Sequence, residues 1–194
     1  MGRTCYINGI PYLVTLPTGG RTKNDHNNQW DHLIDCLESQ YEDLDCVIHY
    51  KYRYFWCQEK ESQFFCSVRG HYSARYWSYY DSSRRLVALG FRPVFIPLNP
   101  KTLQPDPSIL NEIPNGGKIS FGSFYINRKI IKPPQDPIQD KDIPDYVPGI
   151  DFGFGSLQIG YGFHVIKMPD WLIADRVLIK NISWNDLEDL GYVD

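Results

Sequence analysis

Two short runs of strand-forming residues, Thr4-Cys5-Tyr6-Ile7 and Ile10 to Leu16, flank Asn8-Gly9. Both central positions of a two-residue hairpin turn need positive φ, which Asn and Gly tolerate, so the pattern predicts a hairpin over 4–16. Pro17 and Gly19-Gly20 stop its second strand, and 21–28 is polar and loop-like. Trp30, Leu33, Ile34 and Leu37 follow at helical spacing behind Asn28, a good N-cap. Residues 40–50 read as a short helix or loop. An aromatic stretch occupies 50–58, and a strand over 64–70 ends at Gly70. Residues 71–90 have poor periodicity and read as an irregular loop. A strand over 91–96 contains Pro93, which has no N–H for a ladder and predicts an edge or a bulge. Strand alternation returns over 118–131, two or three strands are expected over 150–181, and a final short helix is well specified. Ser183 is its N-cap with Asp186 three residues on, Ile182 and Leu187 form a hydrophobic staple, and Gly191 is the stop.

Two Pro-rich stretches, 97–117 and 132–148, punctuate the second half. The first predicts a boundary, because such stretches enter neither helices nor central strands. The expected division is 1–98 and 118–194. A length of 194 residues, 42% hydrophobic and 15% aromatic, suits one or two small folded domains rather than disorder. No apolar run approaches the ~20 residues of a membrane helix, and the start has no signal-peptide stretch, so a cytoplasmic setting is the default. Gly2 is followed by Tyr at position 6, so the myristoylation motif fails. The five cysteines, Cys5, Cys36, Cys46, Cys57 and Cys66, are odd in number and contain no CxxC pair. They predict free, mostly buried thiols, and neither a metal nor a cofactor is expected.

The segment 67–94 reads SVRGHYSARYWSYYDSSRRLVALGFRPV. Its order of Val-Arg-Gly, Ser-Ala-Arg, Arg-Arg and Gly-Phe-Arg resembles the closing motif of the formylglycine-generating-enzyme and C-type-lectin-like superfamily. With Asn8-Gly9, Trp56-Cys57-Gln58-Glu59 and Ser73-Ala74-Arg75-Tyr76-Trp77, it also looks like domains encoded in phages and mobile elements of gut Firmicutes. The resemblance implies a lectin-like first half carrying an irregular loop, and with the strands read over 118–181 as a small β-rich second half the expected fold class is α+β. It implies structural roles for Arg69, Gly70, Trp77, Gly90, Phe91 and Arg92. Independently, Gly70 and Gly90 suit tight turns, and arginines can bind the carbonyls of irregular backbone. The oxidase activity of that superfamily is disfavoured, because its redox cysteine pair lies near the domain end and no Cys follows Cys66. Gly-x-Ser-x-Gly, P-loop and His-Glu-x-x-His motifs are likewise missing, so the chain is expected not to be an enzyme.

What remains is binding. Residues 69–92 hold five arginines against Asp81, a local charge of +4 in a chain of net charge −3. The rings among them make a typical recognition surface, with Tyr72, Tyr76, Tyr79, Tyr80, Arg84 and Arg85 as its expected residues. Trp77 and Phe91 are expected inside. Asp136, Asp140, Asp142 and Asp145 form a second, acidic surface able to imitate a phosphate backbone, or a solvated linker. The expected function is a non-catalytic macromolecule-binding protein of phage or mobile-element origin. The alternative is a host-defence inhibitor of the anti-CRISPR type, which binds a nuclease and blocks nucleic-acid access. The partner is expected to be a protein, with a host nuclease as the named candidate. Direct binding of nucleic acid through 69–92 and homodimerisation stay open.

Overall fold

The computed structural model describes residues 2–99, 101, 110–134 and 140–193, with only the backbone of residue 140. The chain is β-rich, with 38% strand against 12% helix. This corrects the α+β expectation. Of the helices expected, Gln29–Glu38 (α1) and Trp184–Asp189 (α2) form. Residues 40–50 contribute only a 3-10 turn, Leu44–Cys46. The supposedly irregular 71–90 contains a strand, Trp77–Asp81, and 150–181 contains four. These strands are two to six residues long, so their alternation is too brief to stand out.

The first hairpin is Arg3–Ile7 (β1) and Ile10–Thr15 (β2), turning on Asn8 at φ 51° and Gly9 at φ 81°. Next come Tyr54–Lys60 (β3), Phe65–Gly70 (β4), Trp77–Asp81 (β5), Leu89–Phe91 (β6) and Val94–Pro97 (β7). After the Pro-rich stretch follow Lys118–Ile126 (β8), Lys129–Ile131 (β9), Phe152–Ser156 (β10), Gly162–Lys167 (β11), Leu172–Ala174 (β12) and Ile179–Lys180 (β13). They make two sheets. The larger runs β1-β2-β7-β12-β11-β8-β10, with β9 also on β8, and the smaller runs β13-β6-β3-β4-β5. The run expected over 91–96 is therefore two strands. Pro93 sits between them, β6 belongs to the small sheet and β7 to the large one, and the missing N–H falls where the chain changes sheets. Strands from before and after 97–117 lie side by side in both sheets, as β7 against β12 and β6 against β13.

The large sheet curls into an antiparallel half-barrel. Each neighbour along its path is antiparallel, so the two end strands of this seven-strand path, β1 and β10, run the same way. They approach each other, and side chains join them. Arg3 donates to Asp151 at 2.9 Å and to the Phe152 carbonyl at 3.3 Å, and the Asn8 N–H donates to Ser156 Oγ at 2.9 Å. Rings fill the curl. Phe95 stacks on Phe163 at 5.6 Å, and Phe152 stacks on Tyr192 at 5.0 Å. One face of the small sheet, with Trp56, Val68 and Leu89, closes this core. The other face, with Phe55 and Cys57, packs under Trp30, Ile34 and Leu37 of α1. Helix α1 is capped by Asn28, which accepts from the Asp31 N–H, and α2 has the full Ser183–Asp186 capping box. Among the described residues, no helix is long and apolar enough to cross a membrane.

Candidate functional site

Strand β5 is an edge. It pairs with β4 through Phe65↔Asp81 to Arg69↔Trp77 and, among the described residues, with no other strand. The alternation of a strand gives it two aromatic faces. On one face the half-buried Tyr80 meets Tyr54 at 5.3 Å, and on the other the exposed Tyr79 meets Phe65 at 5.5 Å and Trp77 at 5.8 Å. Trp77 is half-buried, with its Nε1 donating to the Gly20 carbonyl at 3.0 Å. Phe91 is fully buried, as expected.

Between β4 and β5 the chain turns over 71–76. Gly70 holds φ 90°, and a Cβ there would lie 2.8 Å from the Arg53 carbonyl, so this exit from β4 needs glycine. His71 at φ 75° and Tyr52 at φ 62° both sit in the left-handed region, which bulky residues rarely adopt. Backbone bonds hold them there: Tyr52 N–H to the His71 carbonyl at 3.0 Å and His71 N–H to the Tyr50 carbonyl at 2.8 Å. His71 stacks on Tyr54 at 4.4 Å, Tyr72 lies 4.3 Å from His71, and Tyr76 lies 5.0 Å from Tyr72. The outer rings of this corner are strongly exposed, Tyr52 at 72% and Tyr72 at 68%. Burial and the charge of Arg53 push the His71 imidazole below its ordinary pKa, so this ring is neutral near pH 7.

The arginines of 69–92 are mostly engaged within the molecule. Arg69, fully buried, bonds Asp31 and the Gly19 carbonyl. Burial opposes ionisation of Asp31, yet Asn28 and Arg69 hold its carboxyl below the usual range. Arg75 bridges Asp35 at 2.6 Å and Glu38 at 2.7 Å on α1. Arg85 grips Asp186 with two bonds, 2.7 and 2.6 Å, tying the loop to the α2 cap. Arg92 is buried between Trp30 and Phe55, 5.1 and 4.8 Å from their rings, and donates to the His49 carbonyl. Arg84 is exposed, 5.8 Å over Tyr80. Arg75 and Arg85 are exposed as well, but each is paired with carboxylates, so the +4 of the sequence is largely neutralised and the face is more aromatic than basic.

Of the acidic surface, Asp136 and the side chain of Asp140 lie outside the described residues. Asp142 is exposed on a 3-10 turn, and Asp145 is exposed 3.8 Å from Lys180. Three thiols are poor nucleophiles. Burial pushes Cys5 and Cys66 up to about 12 and Cys57 well above its ordinary value. Among the described residues, no group of three or more His, Cys, Asp or Glu could hold a metal ion.

The sequence reading missed Tyr52, Phe64 and Phe65, all exposed beside the residues it named. Phe64 and Phe65 stand in a run read only as a strand over 64–70, and nothing within it signals that Phe65 is exposed while Cys66 to Gly70 are buried. Comparison of the chain with protein-family models, with curated proteins and with solved structures found no match.

Proposed function

We propose that this is a non-catalytic binding protein whose recognition face is the aromatic corner of Tyr52, Tyr72 and Tyr76, with Tyr80 and Arg84 at its margin. The observation that carries this is the pair of left-handed residues, His71 and Tyr52, locked by backbone bonds while the tyrosines beside them face solvent. Strained backbone of this kind costs about 1–3 kcal/mol per residue and clusters at ligand-binding sites. Tyrosine is a favoured anchor because its ring brings a large contact area at low entropy cost. A protein partner suits the corner better than nucleic acid, since four of the five arginines of 69–92 are engaged internally and phosphate contacts need free cations.

The test is affinity capture from a host lysate, with and without nuclease treatment, using the native protein and the double variant Tyr72→Ala, Tyr76→Ala. Nuclease-resistant capture that the double variant loses, at unchanged melting temperature, is the expected result. Equal capture by a folded double variant would remove the corner from the account. If the captured protein is a nuclease, an equimolar amount of this chain is expected to block its loading or target binding, as an inhibitor of the anti-CRISPR type does. Inactivation with turnover would instead mark an enzyme.

A further inference from the structure

A different part of the small sheet carries a second interaction, the free edge of β5. Gly70 N–H donates to the Tyr76 carbonyl at 3.2 Å and Ser82 N–H to the Phe64 carbonyl at 2.7 Å. Alternation then directs the backbone of Tyr76, Ser78, Tyr80 and Ser82 toward β4. Trp77, Tyr79 and Asp81 direct theirs outward. Of these outward groups only the Asp81 carbonyl has a partner among the described residues, the Arg84 N–H at 2.9 Å. Residues 77–81 contain no Lys or Pro, the usual protectors of an exposed edge. Phe64, Phe65 and Tyr79 lie exposed alongside it.

We infer that β5 pairs with β5 of a second copy of this chain, antiparallel, about a two-fold axis through Tyr79. The free groups are symmetric about that residue, with Trp77 two positions before it and Asp81 two positions after. In this register the Tyr79 N–H of each copy donates to the Tyr79 carbonyl of the other. Each Asp81 N–H donates to the opposite Trp77 carbonyl. Each Trp77 N–H meets the opposite Asp81 carbonyl, whose second lone pair is free beside the Arg84 bond. Every outward group of the strand is then matched. The two Tyr79 rings meet across the axis, and each Asp81 carboxylate faces an indole rather than another charge, so no like charges oppose. A contact in which one patch meets itself closes as a dimer and exposes no new edge of β5. The Tyr52–Tyr72–Tyr76 corner is not part of this contact, so the two proposals stand or fall separately.

Sedimentation velocity over a concentration series tests the pairing on the full chain. The native protein is expected to move from 22.6 kDa toward twice that mass. Tyr79→Lys sets two ammonium groups against each other on the axis and should weaken dimerisation about tenfold or more. Tyr79→Pro removes a donor that the β4 ladder does not use and should act likewise, with circular dichroism confirming that both variants fold. The Tyr72→Ala, Tyr76→Ala variant should dimerise as the native chain does. Hydrogen exchange adds a readout without substitution, since the Tyr79 and Asp81 amides should slow as concentration rises. A chain that stays monomeric throughout the series overturns the inference. So does a dimer that Tyr79→Lys leaves intact and in which those two amides exchange freely.

Discussion

Arg85 donates from Nε and one terminal nitrogen to both carboxylate oxygens of Asp186, while Arg84 one position earlier lies in solvent over Tyr80. Adjacent, identical side chains therefore differ in what their loss does. Arg85→Ala is expected to lower unfolding free energy by about 1 kcal/mol, because the bond pair is bidentate and Asp186 is largely buried. Arg84→Ala should cost less than ~0.5 kcal/mol. Urea midpoints of the two variants decide it, and equal midpoints would mean that Ser183 alone secures Asp186. Two buried carboxylates make a separate residue-scale prediction. Burial opposes ionisation of Asp175, but Arg176 and Lys118 hold its carboxyl below the ordinary 3.8, and Asn28 and Arg69 do the same for Asp31. A carboxyl whose folded pKa is depressed contributes stability that is complete above its unfolded pKa and is lost as pH falls through the folded value. Stability should thus hold to about pH 4 and decline below it. Asp175→Asn should be less stable at neutral pH and show a shallower acid decline, and a parallel decline would place the acid sensitivity elsewhere.

At the scale of elements, β6 shows how tightly the small sheet is joined. A Cβ on Gly90 would lie 2.3 Å from Val177 Cγ1 and 2.5 Å from the Ile179 carbonyl, in the strand segment that pairs with β6. Gly90→Ala is expected to cost about 1–3 kcal/mol, the usual toll of overpacking, read as a lowered urea midpoint with an unchanged slope. Elements with local codes were legible in the sequence. The Asn8-Gly9 hairpin, α1 behind Asn28 and the Ser183 capping box follow from residues within a few positions of each other. Elements whose identity depends on a distant partner were not. Trp77 to Asp81 becomes a strand because β4 lies beside it, and Pro93 parts two strands because their partners, β3 and β12, belong to different sheets. The candidate site divides in the same way. The tyrosines of 72–80 announced a surface by composition, but the acids that neutralise its arginines come from α1 and α2, 37 to 101 positions away in sequence. The +4 counted along the chain therefore overstated the charge in space.

Across the whole molecule, the large sheet stops one ladder short of closure. Pro11, which has no N–H, turns its carbonyl to Leu98 beyond β7, and the Asn8-Gly9 turn makes Ile7–Ile10 a hydrogen-bonded pair. Arg3, Cys5 and Ile7 therefore bond β2, while Thr4 and Tyr6 turn their backbone toward β10, where the Arg3 side chain and the Asn8 N–H to Ser156 Oγ bond stand in for a ladder. Amide exchange followed by NMR should alternate along β1, faster at Thr4 and Tyr6 than at Cys5 and Ile7, and uniform protection would mean the seam is zipped in solution. The interleaving of early and late strands has a consequence for biosynthesis. As the chain leaves the ribosome, β7 waits for β12 and β6 for β13, the last two strands among the described residues. Neither sheet is complete until those strands have formed, so the contacts that finish each sheet close long loops, whose entropy sets the pace of the last folding steps. Until then Trp56, Phe91 and Phe95 lack the later residues that bury them, and that aromatic face is the one left for the chaperones of the cell in which the chain is made.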